Sequence, residues 1–167
     1  MTSSPPHTPA LAAAAALAFV TALSATTPAS ADQTFQTRQY PLSAVAGEPL
    51  RAGFVVDVHA QGPQVYAQER YHLSGARSGT AYEVRLSVYG DVTCASDLVL
   101  TTITTNDLLT NRAGNANGAV TFRPADAAGL VQREYGLVWE VVRVVVREKV
   151  RVEVVAYTTG CQVVQVD

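Results

Sequence analysis

The sequence GLVWEVVRVVVREKVRVEVV, residues Gly136–Val155, decides the fold class of this chain. Its second half alternates between charged and apolar side chains, which is the period-two pattern of a β-strand with one wet and one dry face. The charged positions are Arg143, Arg147, Lys149, Arg151 and Glu153, and the apolar ones are Val144, Val146, Val150, Val152 and Val154. A single strand over the whole stretch would exceed the usual strand length. We therefore predict two strands that reverse near Arg147–Lys149, because Glu148 is the one charge on the apolar side.

Strand signals recur along the rest of the chain, whereas helix signals are almost absent. Segments with alternating polarity or many β-branched residues predict the other strands. These segments are Arg51–His59, Val65–Leu73, Tyr82–Tyr89, Leu98–Thr105, Ala119–Phe122 and Gln162–Val166. Pro124–Gly129, with proline at its start and glycine at its end, predicts a single helical turn. We expect about seven to nine strands in an all-β, two-sheet antiparallel β-sandwich.

Local residues also predict how some strands connect. Val65–Leu73 and Tyr82–Tyr89 are separated by the turn-rich Ser74–Gly79, so we expect these two strands to form a hairpin. Asn117–Gly118 stands just before the next predicted strand, and this dipeptide supplies positive φ in tight turns. Glu69 is the only residue that breaks the alternation of the strand predicted over Val65–Leu73.

The first residues of the chain predict export. Residues Met1–Ala31 contain no Asp, Glu, Lys or Arg and carry an apolar run from Ala10 to Leu23. That run is too short to cross a bilayer, and the small residues at its end fit signal-peptidase cleavage before Asp32. No twin arginine occurs and no cysteine follows the expected cut, so no lipoprotein or other stable membrane anchor is expected. We predict a signal peptide over residues 1–31, one β-sandwich domain over residues 32–167, and a soluble, secreted product.

Export determines how the two cysteines are interpreted. Cys94 and Cys161 are the only cysteines of the chain, and in an exported domain they predict a disulfide. Chain-entropy arithmetic for a loop of about 68 residues gives about 4 kcal/mol of stabilisation. A redox or nucleophilic thiol would need a CxxC pair or a nearby activating base, and the sequence indicates neither.

The charge balance bears on possible partners. The chain has 12 basic and 14 acidic residues, for a net charge of −2. A near-neutral surface gives little reason to expect nucleic acid or an anionic membrane as a partner.

Two histidines of the mature part, His59 and His72, are the candidates for chemistry. Asp57 and His59 stand two residues apart and share one face of a strand, and His72 could approach them if the strands pair. Such a group would make at most a sparse metal or acid–base site, because structural zinc sites usually hold four ligands. No GxSxG element accompanies the histidines. We expect no catalytic residue, no metal and no cofactor.

Several turn-rich segments follow one another in a recognisable order. They are Leu73-Ser74-Gly75-Ala76, Gly79-Thr80-Ala81-Tyr82-Glu83-Val84, Cys94, Thr110-Asn111-Arg112-Ala113-Gly114-Asn115-Ala116-Asn117-Gly118, Pro124-Ala125-Asp126 and Cys161. Over about Val65–Asp167 this order resembles small secreted immunoglobulin-like β-sandwich proteins of actinobacteria, most of them uncharacterised. The resemblance implies an immunoglobulin-like arrangement of the two sheets.

A weaker likeness connects three short elements to another family. Gly79-Thr80-Ala81-Tyr82, Ala116-Asn117-Gly118 and Cys161-Gln162-Val163 are similar to elements of the apoproteins of enediyne chromoproteins. That likeness implies the carriage of a small apolar ligand. Those carriers typically have two disulfides, whereas this chain can form one, so no binding residues are transferred from them.

Three classes of function are therefore open. The preferred one is a non-enzymatic extracellular domain that binds a protein, a glycan or a small ligand through its loops or an open sheet face. The second is a carrier of a small apolar ligand, which predicts a concave apolar cleft. The third is an exported enzyme that uses His59 or His72. Large aromatic residues could line a binding surface, but we expect them in the core or at its edge; they are Trp139, Tyr66, Tyr71, Tyr82, Tyr89, Tyr135 and Tyr157.

Overall fold

The computed structural model describes residues 36–59, 67–96, 98–131, 133–147 and 149–166, and ten antiparallel strands lie in these ranges. The strands are β1 (Gln36–Pro41), β2 (Ser43–Ala44), β3 (Ala52–His59), β4 (Ala67–Ser74), β5 (Ala81–Tyr89), β6 (Leu98–Leu109), β7 (Ala116–Phe122), β8 (Arg133–Arg147), β9 (Val150–Thr158) and β10 (Gln162–Val166). A single 3-10 turn at Pro124–Ala127 confirms the predicted helical turn. The predicted leader, the residues Val65 and Tyr66, and Glu148 at the predicted reversal lie outside the described residues.

The strands form two sheets that pack face to face. One sheet has four strands in the order β1-β3-β4-β7. The other has six, with the order β2-β9-β8-β5-β6 and with β10 paired to β8. The predicted all-β, two-sheet antiparallel sandwich is thus confirmed. In the described part of the chain, no helix has the length and apolar character needed to cross a membrane.

Alternation along the strands builds the core between the sheets. In β5, every second residue from Tyr82 to Val88 is buried, and the residues between them are more exposed. Other strands of both sheets contribute side chains to the same apolar cluster. The largest fully buried members are Trp139, Tyr71, Tyr82, Tyr135, Tyr157, Leu73 and Leu108. Most of the aromatic residues therefore pack in the core, as the sequence predicts.

β8 is the central strand of the six-stranded sheet. It pairs with β5 along one edge and with β9 and β10 along the other. The predicted reversal after β8 is confirmed, and Lys149 at this turn has a φ of 69°. The prediction that the even-numbered valines lie on a dry face is wrong for two of them, because Val144 is 39% exposed and Val150 is 60% exposed. Val152 and Val154 are half-buried, and the Val146 side chain lies outside the described residues. A bulge at Val141–Val142 shifts the alternation of β8. In addition, β5 pairs with β8 only as far as Arg143, so the end of the β8–β9 hairpin extends past β5.

The predicted hairpin between β4 and β5 is also wrong, because the two strands belong to different sheets. Both edges of β4 are paired, with β3 and β7, and both edges of β5 are paired, with β6 and β8. The chain crosses from one sheet to the other through the residues after Ser74. The crossing is anchored where the Thr80 amide donates a hydrogen bond to the Thr110 hydroxyl.

Asn117–Gly118 does not form the predicted tight turn, since both residues lie inside β7, opposite β4. The turn lies earlier, where the Gly114 amide donates to the Asn111 carbonyl and Gly114 has a φ of 76°. A Cβ at Gly114 would collide with the Ala76 backbone, so glycine is required there by both conformation and space. Asn111 and Gly114 are therefore the residues of the sequence that mark this turn.

The predicted disulfide is present between Cys94 and Cys161, with their Cα atoms 5.8 Å apart. It joins the loop after β5 to the start of β10. Gly136 of β8 permits this packing, because a Cβ there would lie 2.7 Å from the Cys94 Sγ. Hydrogen bonds from Ser96 and Thr93 hold the pKa of the Asp91 carboxyl in the same loop well below its usual range.

Candidate functional site

A cavity of about 370 Å³ lies between the two sheets. It is found at the end of the sandwich where β3 ends and β4 begins, and both sheets contribute to its wall. Alternating inward residues make most of that wall apolar, as with Leu86 and Val88 of β5 and Val164 and Val166 of β10. The disulfide at Cys161 fixes the start of β10 and so helps to hold this wall in place.

Two acidic side chains stand directly opposite each other in this apolar cavity. Asp57 of β3 and Glu69 of β4 are register partners on neighbouring strands, and both line the cavity. Asp57 is 4% exposed and Glu69 is 2% exposed. Glu69 is the residue that breaks the polarity pattern of its strand, and the structure keeps it on the buried face instead of turning it to solvent. Burying carboxyl groups where the described lining offers no Lys or Arg is costly, so the presence of two on this face calls for a reason.

A chain of hydrogen bonds leads away from Glu69 through the core. The Tyr71 hydroxyl contacts the Glu69 carboxyl and lies 2.6 Å from the Thr104 hydroxyl. The Thr104 hydroxyl in turn lies 3.3 Å from the Val84 carbonyl oxygen. Since Tyr71 has one hydroxyl proton, it can donate to only one of its two neighbours.

The local environment keeps a proton on Glu69. Burial raises the pKa of Glu69 to about 8; the Tyr71 hydrogen bond opposes this shift, and the negative charge of Asp57 adds to it. A protonated Glu69 can donate to Tyr71, which then donates to Thr104, which donates to the Val84 carbonyl. Every oxygen–oxygen contact in the chain then holds a proton, so the hydrogen-bond pattern and the raised pKa agree.

His59 extends the acid pair toward the end of the sheet. Its Nε2 atom lies 3.1 Å from the Asp57 Oδ2 atom, and the imidazole also lines the cavity. The shared strand face predicted for these two residues is therefore confirmed. His72 does not approach them, although its strand does pair with β3. It lies on the outer face of β4, stacked on Phe54 at 4.8 Å and 2.7 Å from the Asn117 Oδ1 atom.

Two buried donors lie beside the acid pair without a hydrogen bond of ordinary geometry. They are the Tyr40 hydroxyl and the Trp139 indole Nε1, whose rings stack with centroids 5.0 Å apart. The Trp139 N–H nevertheless acts on the Glu69 carboxyl and lowers its pKa. Burial raises the pKa of the Tyr40 hydroxyl, and the Asp57 charge raises it further. The Trp139 N–H therefore interacts with Glu69, and the Tyr40 hydroxyl is affected by the charge of Asp57.

Among the described residues that line the cavity, none is Lys or Arg. The third acidic side chain of the lining, Asp126, accepts a hydrogen bond from the Arg123 amide at the 3-10 turn. In the described part of the chain, no group of three or more His, Cys, Asp or Glu residues is arranged to hold a metal ion. The site is thus a mainly apolar cavity with an acidic pair, one imidazole and a third carboxyl group at the 3-10 turn.

Sequence reasoning found Asp57 and His59 but missed the rest of the site. Glu69, Tyr71 and Thr104 come together because β4 packs across the sandwich from β6. Only Glu69 carried a local signal, as a charged residue on an otherwise apolar strand face. That exception to the alternation could have marked it as functional.

Comparisons with known proteins give no relative. No protein-family model, no curated protein and no solved structure matches this chain. The likenesses to actinobacterial immunoglobulin-like proteins and to enediyne apoproteins therefore remain predictions.

Proposed function

We propose that this protein is an exported, non-enzymatic binding protein that holds a small, mainly apolar molecule in the cavity between its sheets. The observation that carries the proposal is the cavity itself. Its volume of about 370 Å³, its apolar wall and its few convergent polar groups are typical of small-molecule sites. Of the partners expected from the sequence, which were a protein, a glycan or a small ligand, this geometry favours the small ligand.

The acid pair supports the same proposal. Nothing in the packing of the sandwich requires Asp57 and Glu69 on the buried face, where apolar residues would satisfy the alternation of β3 and β4. Residues whose pKa is strongly shifted inside a cleft are concentrated at functional sites. The raised pKa of Glu69 therefore supports a binding role for the cavity.

Export is the second part of the proposal. The Cys94–Cys161 disulfide is typical of extracellular proteins, and the leader predicted over Met1–Ala31 would bring the chain to that compartment. The mature protein would then begin at Asp32 and be soluble. Mass spectrometry of protein recovered from culture medium should find that start, and an intact leader on that protein would contradict it.

Filling the cavity tests the binding function directly. Ala67 is buried and lines the cavity, so Ala67→Phe should occupy the space that a ligand needs. Ala119→Phe makes the same change at an exposed position of β7 outside the lining and is the matched control. With 1-naphthylmethanol as a neutral apolar probe, titration calorimetry should show binding to the wild type and to Ala119→Phe.

The filled variant should bind the same probe about tenfold or more weakly. Circular dichroism must show that Ala67→Phe keeps the β-sheet spectrum of the wild type. Equal binding to both variants, or no binding to the wild type, would contradict the proposed function.

An enzyme using His59 is the second candidate, favoured by the 3.1 Å contact between His59 and Asp57 inside the cavity. A ligand that co-purifies from culture medium separates the two functions. Incubated with fresh protein and followed by mass spectrometry, it should be recovered unchanged from a binding protein. An enzyme would convert it, and His59→Gln would abolish the conversion.

A further inference from the structure

We propose that the ligand of this cavity carries a protonated amine on its apolar body, and that the amine binds between Asp57 and Glu69 in exchange for the proton of Glu69. This inference rests on the proposed function, because it names the class of molecule that the cavity binds. The exchange is balanced: the ammonium group enters with its positive charge, and the Glu69 carboxyl releases one proton to solvent and becomes a carboxylate.

The charges around the cavity select a cation. Asp57 and Glu69 face each other across neighbouring strands, and among the described residues the lining holds no Lys or Arg that could receive an anion. His59 is the one basic side chain of the lining, and it contacts Asp57. An anionic ligand would bring a further negative charge toward the acid pair, whereas an ammonium group would give that pair a counter-charge.

The hydrogen bonds that begin at Glu69 can accommodate its carboxyl group in both protonation states. With a proton on Glu69, each contact from Glu69 through Tyr71 and Thr104 to the Val84 carbonyl holds one hydrogen. When an ammonium group arrives, Glu69 can lose its proton and the Tyr71 hydroxyl can turn to donate to the carboxylate. These hydrogen bonds therefore have one donor pattern when Glu69 is protonated and another when an ammonium group is bound and Glu69 is ionised.

Of the two unpartnered donors, the Trp139 indole N–H is better satisfied by an ionised Glu69 than by a protonated one. Trp139 is fully buried, Tyr40 is 6% exposed, and neither indole N–H nor hydroxyl has a hydrogen bond of ordinary geometry. An unpaired buried donor costs free energy, and a protonated Glu69 gives the indole only a weak acceptor. An ionised Glu69 is a stronger acceptor for the Trp139 N–H, so ligand binding would recover part of that cost.

The proton exchange makes binding depend on pH. The groups that act on the Glu69 carboxyl are Tyr71 on its own strand, Asp57 and His59 on β3, and Trp139 on β8. Because burial raises the pKa of Glu69 to about 8, it is protonated at neutral pH and the exchange must release its proton. Amine binding should therefore tighten as the pH rises from 6 toward 8, while the binding of a neutral probe should not change.

Three probes with the same naphthyl body test the inference. They are 1-naphthylmethylamine as the cation, 1-naphthylmethanol as the neutral probe and 1-naphthylacetate as the anion. At neutral pH we expect the cation to bind about tenfold more tightly than the alcohol, and the anion to bind most weakly. Calorimetry in two buffers of different ionisation enthalpy should show the release of about one proton per bound amine and none per bound alcohol.

Glu69→Gln identifies the group that releases the proton. Glutamine can donate to Tyr71 as the protonated acid does, so this variant should fold. It should bind the alcohol as the wild type does, but release no proton with the amine and lose most of the preference for the cation. Glu134→Gln changes an exposed acidic residue outside the cavity lining and should behave like the wild type in every titration.

The outcomes separate this inference from the function on which it rests. Equal affinity for amine and alcohol without proton release, or tightest binding of the anion, would overturn the inference and leave the cavity as a ligand site. Proton release that persists in Glu69→Gln would overturn it as well. Failure of all three probes to bind the wild type, or binding that Ala67→Phe does not weaken, would overturn the proposed function together with the inference.

Discussion

The two ends of the sandwich treat buried acidic side chains in opposite ways. At the end away from the cavity, Glu48 binds two guanidinium groups, with its Oε2 atom 2.9 Å from the Arg77 Nε and its Oε1 atom 2.6 Å from the Arg143 Nη2. At the cavity end, Asp57 and Glu69 face each other with neither Lys nor Arg in the described lining. At the first end each carboxylate oxygen has a guanidinium partner, whereas at the second the described contact to a basic side chain is that of Asp57 with His59.

The pKa values of the two glutamates express this difference. Burial acts to raise the pKa of Glu48, but its hydrogen bonds to Arg143 and Arg77 outweigh burial and lower it. Burial also raises the pKa of Glu69, and with no guanidinium beside it the value reaches about 8. Glu69 is also the more deeply buried of the two, so burial and the nearest charges together decide whether a carboxyl group is a structural anion or a group that can exchange a proton.

The two ends are also held together by different means. Away from the cavity, the Tyr157 hydroxyl lies 3.0 Å from the Tyr82 hydroxyl and donates to the Pro49 carbonyl at 2.9 Å. Burial, together with the contact to Tyr82, raises the pKa of the Tyr157 hydroxyl. On the cavity side, the Cys94–Cys161 disulfide ties down β10, which supplies part of the wall. At the cavity end a covalent link is thus added to the polar contacts around Glu69, whereas the described contacts at the other end are non-covalent.

Of the changes that test this difference between the two ends, removing the disulfide should have the largest effect on the free energy of unfolding. The double variant Cys94→Ser with Cys161→Ser should lower the free energy of unfolding by about 4 kcal/mol, because the unfolded chain regains the entropy of the open loop. Denaturant unfolding measures this loss. Wild-type protein treated with reductant is the matched control and should unfold with the variant. A variant as stable as the oxidised wild type would contradict the structural role of the link.

Glu69→Gln should stabilise the protein in alkaline solution. The folded-state pKa of about 8 lies above the ordinary glutamate pKa of 4.5, so the unfolded state loses the Glu69 proton first as the pH rises. This group therefore contributes stability fully below about pH 4.5 and loses that contribution between about pH 4.5 and 8. At neutral pH the variant should already be more stable than the wild type by roughly 3 kcal/mol, and the difference should grow further toward pH 8.

Urea unfolding at a series of pH values measures this effect. Stability of the wild type should fall relative to Glu69→Gln across the window, and the two proteins should converge in acid. Parallel pH profiles for the two proteins would show that the proton does not reside on Glu69.

Glu48→Gln should give the opposite pH dependence. Because its arginine partners lower the pKa of Glu48 in the folded protein, its stabilisation is present at neutral pH and is lost as the pH falls through the folded-state pKa. The variant should be about 2 kcal/mol less stable than the wild type at neutral pH, since two charge-assisted contacts lose their anion. Unfolding midpoints at neutral and strongly acidic pH measure this, and a deficit that persists undiminished in acid would refute it.

The smallest effect should come from the outer of the two arginines. The Arg77 side chain is 46% exposed and the Arg143 side chain is 17% exposed, although both bind Glu48. Arg77→Gln should lower the stability less than any of the changes above, and the loss should disappear at high salt. Arg143→Gln, the matched change at the more buried partner, should cost more and depend less on salt. Equal losses would mean that burial does not separate the two pairs.

The sequence predicts the fold well where the information is local. Period-two alternation predicted β4 and β5, and a valine-rich apolar run predicted β3. The reversal after β8 was predicted from the charge pattern around Arg147–Lys149. Pairing was predicted poorly, since β4 and β5 are neighbours in sequence but lie in different sheets. The exposure of Val150 was missed for a related reason, because alternation does not reveal where the neighbouring strand ends.

The candidate site shows the same division. Asp57 and His59 could be related from the sequence, because a strand places residues two apart on one face. The approach of Glu69 to Asp57 depends on the β3–β4 register, and that of Thr104 to Tyr71 depends on packing between the sheets. No local pattern encodes either distance.

By itself, then, the sequence determined the all-β class, most of the strands and the pairing of its two cysteines. These follow from the period of side-chain polarity and from the number of thiols available. Only the tertiary structure decided that the two acids would share an apolar cavity and that one of them would keep its proton. The physical reason is that the pKa of a carboxyl group depends on its burial and its nearest charges, and both are set by strands distant in sequence that fold against it.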